Sequence, residues 1–139
     1  MDGRMKIGEV ADRVGLSLRT IRFYEEAGLV IPDARSTGGF RLYTEDAIDR
    51  LKLIKAMKPL DFSVEEIAEV LTSLDALAAD EAGPEERDLA AQRLATVQLV
   101  VDERLTRLLE RAEQAREFAR MLDDLPPSSP DGRPDADAD

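Results

Sequence analysis

From Glu85 to Leu122 the chain contains neither Gly nor Pro. Within that run Leu94, Val101, Leu108, Ala115 and Leu122 recur every seven residues, and Gln98, Leu105, Ala112 and Ala119 lie offset by four. A heptad spacing held this long keeps one helix face turned toward a partner helix. At 1.5 Å per residue the helix reaches about 57 Å, too long to sit inside one small domain. The segment therefore predicts a coiled-coil helix over 85–122. The alternative is a bundle member folded back on its own domain, which does not need a seam of four heptads.

Residues 7–14 (IGEVADRV) place Ile7, Val10, Ala11 and Val14 at offsets 0, 3, 4 and 7, one stripe of an amphipathic helix. Gly15 stands where that helix stops. Ser17 is the N-cap of a second helix through Ala27, and Gly28 ends it. Leu18, Ile21, Phe23 and Tyr24 supply its buried side. Residues 29–43 (LVIPDARSTGGFRLY) read as a β-hairpin with a turn around Ser36–Gly39. Thr44 opens a third helix, with Glu45 and Asp46 in its first turn, that runs to about Lys58, where Pro59 halts it. Ser63 and Glu66 form a capping-box pattern for a helix over 64–74. Residues 75–84 read as a linker and 123–139 as a disordered acidic tail.

The net charge of −11 is unusual for a nucleic-acid binder. It is unevenly placed. Residues 1–60 carry 11 Lys and Arg against 9 Asp and Glu, a net +2, while residues 61–139 carry 8 against 21, a net −13. Salt screens exposed charges beyond about 8–10 Å, so a local basic face outweighs the total. The 139 residues include no Cys and no His, which removes disulfides, thiolate metal sites and the commonest general base. No phosphate loop, nucleophile–base pair or metal-ligand cluster stands out, so no enzyme activity, cofactor or metal is expected. No apolar run approaches a membrane span and no signal core follows the first residues, so a soluble cytoplasmic protein is expected.

The functional signal is the first helix pair. A helix-turn-helix needs a small residue inside its first helix and favours Gly at the turn. Ala11 and Gly15 meet those demands, with Val10, Val14, Leu16 and Ile21 around them. The other face of the second helix carries Ser17, Arg19, Thr20 and Arg22, which can reach phosphates and base edges in a major groove. Arg19 is the better candidate for a bidentate contact to guanine. Arg35, Gly38, Gly39 and Arg41 suit a wing that approaches the DNA backbone, and Tyr43 offers a hydroxyl to a phosphate. An ordinary helical hairpin with a solvated basic face would share the first pattern. It would not account for the adjoining Gly-rich hairpin.

The run IGEVADRVGLSLRTIRFYEEAGLVIPDARSTGGFRLYTEDAIDRLKLIKAMK, continued by FSVEEIAEVL, resembles the N-terminal domain of the MerR family of transcription regulators over about half the chain. The resemblance implies a mainly α fold: a winged helix-turn-helix over 5–74, of four helices and a small β-hairpin wing. A long dimerisation helix, paired as an antiparallel coiled coil, follows. It implies that Arg19, Thr20 and Arg22 face DNA, that the Tyr24 hydroxyl meets the backbone, that Arg41 and Tyr43 belong to the wing, and that Lys58 reaches phosphate. Phe23 is read as core. Leu94, Val101, Leu105, Leu108, Ala112, Ala115, Ala119 and Leu122 form the dimer seam. The implied function is that of a homodimer on promoter DNA that distorts the region between the −35 and −10 elements and so alters access by RNA polymerase. One departure is Asp61, which places an acid just before the Phe62-Ser63 pair. The acidic and basic residues of the long helix read as a solvated ion-pair face. What remains for sensing is an unknown small effector at the dimer interface, or none. Competing readings are a small architectural or excisionase-like DNA-bending protein, and a protein-interaction module built on the acidic coil.

Overall fold

The computed structural model describes residues 4–32, 34–35, 38–39 and 41–127. In chain order the elements are β1 (Met5–Lys6), α1 (Ile7–Val14), α2 (Leu18–Glu26), β2 (Ala34–Arg35), β3 (Arg41–Tyr43), α3 (Glu45–Met57), a 3₁₀ turn (Lys58–Leu60), α4 (Val64–Ala78) and α5 (Pro84–Asp123). The chain divides into two units, residues 1–101 and 102–139, and α5 runs through both.

The helices α2, α3 and α4 each start where a side chain satisfies a free backbone donor. Ser17 Oγ accepts from the Thr20 N–H at 3.1 Å. Thr44 Oγ1 accepts from the Ala47 N–H at 3.4 Å, a long contact. At α4 the capping box is complete: Ser63 Oγ accepts from the Glu66 N–H, and Glu66 Oε1 accepts from the Ser63 N–H at 3.0 Å. The α1 helix ends at Gly15 in the left-handed region, φ 71°, where the Gly15 and Leu16 N–H groups both donate to the Ala11 carbonyl. Lys55 Nζ donates to the Val14 carbonyl at 2.9 Å, so α3 supplies a second cap to the same helix end.

The first unit is built around Val10, Ile21, Val30, Ile48, Leu51 and Ile54, all fully buried. Burying each such side chain contributes about 1.5–3 kcal/mol. The sheet has the order β1-β3-β2, all antiparallel. The strand β3 therefore sits between β2, its hairpin partner, and β1, which pairs Met5 with Tyr43 and Lys6 with Leu42. Arg13 spans α1, β1 and α3: its guanidinium pairs with the Glu45 carboxylate at 2.5 and 3.1 Å and also touches Met5 Sδ. Arg50 of α3 donates to the Leu29 carbonyl at 2.7 Å and forms a two-point ion pair with Asp75 of α4. This clasp borders a groove of about 670 Å³ between the Gly28–Ile31 segment, α3 and α4.

Several expectations change. Phe23 is 52 % exposed and Leu18 41 % exposed, so Ile21 and Tyr24 alone supply the buried side of α2. The α4 helix continues to Ala78, which shortens the linker to residues 79–83. Leu94, read as a dimer contact, packs with Val97 against the core of its own unit. The folded-back alternative thus describes the first turns of α5. The tail begins after Asp123, and its residues 128–139 lie outside the described residues, as do Ser36 and Thr37 of the hairpin turn. No helix among the described residues is long and apolar enough to cross a membrane.

Candidate nucleic-acid interface

The α2 helix presents Arg19 and Arg22 to solvent, and neither forms an ion pair among the described residues. Its buried side is fixed by Ile21 and Tyr24. Helical geometry then directs residues 19 and 22, three apart, to a common outward face. Ser17 and Thr20 bracket the start of that face. Ser17 Oγ caps the helix and donates to Thr20 Oγ1 at 2.8 Å, so these two hydroxyls hold each other.

Beside this face lies β3. Its Arg41 Nε pairs with Glu25 Oε1 at 2.9 Å, and Arg41 remains 41 % exposed. The Tyr43 ring is fully buried and its hydroxyl donates to the other oxygen of Glu25. Tyr43 was expected to offer that hydroxyl to a phosphate. In the structure it is instead committed to Glu25. Burial is the first cause and the adjacent carboxylate the second that push the Tyr43 phenol well above its usual range. Both disfavour a phenolate.

Glu25 is the residue that sequence reasoning missed. Ile21, Tyr24 and Glu25 stand at offsets 0, 3 and 4 and so share the buried side of α2. An acid on an apolar helix face needs a partner, and that was the available signal. The carboxylate receives two donors from one strand, tying the last turn of α2 to the wing.

Tyr24 is 5 % exposed, and the Lys58 ammonium lies 5.9 Å from its ring centroid, within cation–π range. Lys58 itself is exposed at the start of the 3₁₀ turn. That turn ends at Asp61, the one non-glycine residue with positive φ among the described residues, at 56°. In the wing, Gly39 is exposed with φ 83°. For Arg35 the structure describes the backbone in β2, paired with Arg41, and not the side chain. Among the described residues no group of three or more acidic residues is arranged to hold a metal.

A capped two-helix unit turning at glycine, with a cationic outer face and a β-hairpin tied to the second helix, is a winged helix-turn-helix. The comparisons specify which one. A family model described as "MerR HTH family regulatory protein" matches residues 5–74, and one described as "MerR, DNA binding" matches residues 48–125. The chain belongs to the MerR family, whose members are transcriptional regulators and not enzymes. It is 35 % identical over 125 residues to the HTH-type transcriptional regulator YfmP of Bacillus subtilis (strain 168), covering 85 % of this chain and 87 % of that one. It is 40 % identical over 72 residues to the mercuric resistance operon regulatory protein of Bacillus cereus, covering 52 % of this chain and 54 % of the relative, about half the length of each. Among solved structures, a MerR family regulator from Listeria monocytogenes superposes with a TM-score of 0.65 at 21 % identity over 86 % of both chains. HiNmlR, a family regulator lacking the sensor domain and bound to promoter DNA, superposes with a TM-score of 0.57 at 24 % identity, covering 88 % of this chain and 94 % of that one. At these identities the likeness establishes the fold.

Proposed function

We propose that the protein is a sequence-specific transcription regulator that binds promoter DNA as a homodimer. The observation that carries this reading is the outward face of α2, where Arg19 and Arg22 stand exposed and without an ion pair among the described residues. Unpaired guanidinium groups on the second helix of this fold suit guanine edges and phosphates in a major groove. Ser17 and Thr20 flank them at the helix start. The wing adds Gly39 for close backbone approach and Arg41 for a phosphate, with Arg35 in the paired strand. Lys58 and the Tyr24 hydroxyl supply backbone contacts beside it. Tyr43 is assigned here to holding the wing.

Two copies would join through α5, since two-fold protein symmetry reads two half-sites. By family membership the dimer distorts DNA between the −35 and −10 elements and acts on RNA polymerase there, in the cytoplasm. The charge division supports this: residues 1–60 are net +2 and residues 61–139 net −13.

The test is a mobility-shift titration on the protein's own promoter region against unrelated DNA. Specific binding lost in Arg19→Ala and weakened in Arg41→Ala supports the reading. Equal, weak binding of wild type and variants to both DNAs sinks it.

A further inference from the structure

We propose that the groove between the Gly28–Ile31 segment, α3 and α4 is a binding site for a small organic cation with an aromatic or aliphatic body. This goes beyond DNA binding and does not depend on it. The whole site lies in the first unit, within residues 28–78.

The groove has the size and the apolar depth of a ligand site. Its volume of about 670 Å³ falls within the range of about 300–1,000 Å³ that small-molecule sites occupy. Val30 and Leu71, both buried, line it together with the half-buried Leu53 and Leu74. At its edge stands Ile31, 78 % exposed, the most exposed large apolar side chain among the described residues. An apolar body seated there would remove that surface from water. On Gly28 a Cβ would meet nothing within 4 Å, so the backbone at this edge is open as well.

Charge selects the ligand. The charged residues lining the groove are Asp46, Asp49, Arg50 and Asp75, three acids against one base. The base is committed. Arg50 Nη1 and Nη2 bind the two Asp75 oxygens at 2.8 and 3.0 Å, and Nε donates to the Leu29 carbonyl at 2.7 Å. That leaves Asp46 and Asp49, three residues apart on one face of α3. Both are exposed, and neither has an ion pair or hydrogen bond among the described residues. Asp46 suits the helix start, where negative charge is favoured. Asp49, a turn further in, has no such role. Two unpaired carboxylates beside an apolar surface repel an anion and attract an ammonium or amidinium. Alone they would be a solvated face. The apolar depth next to them makes the site one for a molecule with both parts.

The probes are three pyrenes of similar shape and different charge: pyrenylmethylammonium, pyrenemethanol and pyrenecarboxylate. The chain has no tryptophan, so pyrene emission is read without overlap. Full-length protein is titrated into each probe in the absence of DNA. The ammonium should bind about five- to tenfold more tightly than the alcohol, the worth of one or two exposed ion pairs, and the carboxylate most weakly. That preference should shrink in about 1 M salt. Asp46→Asn with Asp49→Asn should bring the ammonium down to the alcohol and leave the alcohol unchanged. Ile31→Ser should weaken both by about threefold. All three positions are exposed, and circular dichroism checks the fold. Should the double variant not fold, Asp49→Asn alone should remove part of the preference. Glu69→Gln, beside a smaller cleft lined by Phe62 and Val97, should change nothing. Equal binding of the three probes, an ammonium preference that survives the aspartate variants, or loss of binding in Glu69→Gln overturns the proposal. Refusal of all three probes also overturns it, and is the result that a groove filled by a second copy or by a peptide would give. Since no DNA is present, each of these failures leaves the DNA-binding reading standing.

Discussion

The Tyr43 hydroxyl donates to Glu25, and this bond joins the strand of the wing to the last turn of the recognition helix. The Arg41 Nε occupies the other carboxylate oxygen at 2.9 Å. The orientation of the wing relative to α2 is therefore set by one acid that touches no DNA in this reading.

Glu25→Ala strips a buried hydroxyl and a guanidinium of their shared acceptor. Leaving such donors unsatisfied costs about 1–3 kcal/mol, which thermal melting should show as a lower Tm. Tyr43→Phe should also lower Tm, while changing DNA affinity by less than about threefold, since a hydroxyl facing Glu25 is not a phosphate contact. A large affinity loss at full stability would restore Tyr43 to the interface.

The same pair predicts behaviour in alkali. Folding raises the Tyr43 pKa above its ordinary value of 10.0. Its contribution to stability is fully present below that value and is lost as pH rises above it. Tyr43 should therefore show no phenolate absorbance at about pH 11 while the fold persists. Two phenolates appearing before unfolding would contradict the buried hydrogen bond.

Arg13 and Glu45 make the corresponding acid-side prediction. The hydrogen bond and charge of Arg13 hold the Glu45 carboxyl below its ordinary value of 4.5. A lowered carboxylate stabilises the fold above that value and ceases to do so as pH falls through its folded pKa. Both side chains are about half exposed, so the effect is screened by salt. The Tm difference between wild type and Glu45→Gln should shrink in 1 M salt and vanish in acid. A difference that survives both conditions would have to come from packing.

Asp61 closes the 3₁₀ turn at φ 56°. Asp, Asn and Gly tolerate that region, and a β-branched residue does not. Asp61→Val should cost about 1–2 kcal/mol in denaturant unfolding, and Asp61→Asn or Asp61→Gly distinctly less. Equal effects from all three would mean that the conformation is not what the site requires.

On the recognition face, Arg19→Ala should weaken specific DNA binding by about 10- to 100-fold, the worth of one bidentate base contact. Loss confined to one base position would mark a base contact. A uniform loss with a shallower salt dependence would reassign Arg19 to phosphate.

The helices were legible because their signals are local. Gly15, the Ser17, Thr44 and Ser63 caps, and the apolar stripes all lie within a few residues of what they specify. What escaped was set at a distance. The strand β1 is only two residues long, and its partner Tyr43 lies far along the chain, so no period could mark it. Phe23 is exposed and Tyr43 buried, against expectation, because residue type alone does not say which aromatic the fold will cover. The α4 helix outlasts its expected end at Leu74. The Arg50–Asp75 clasp, a contact with α3, anchors its added turn. The long seam was legible as a pattern, but its first turns are shared with the head, which only the fold reveals.

The Lys55 ammonium under Gly15 has an engineering consequence. A Cβ placed at Gly15 would meet that nitrogen at 2.8 Å, and the left-handed backbone there already excludes most side chains. The corner between α1 and α2 is thus closed from outside by a residue forty positions downstream. A peptide cut to the two reading helices would leave that latch behind. Grafting this reader onto another scaffold therefore means carrying α3 with it, and the smallest portable unit is the head that includes Lys55.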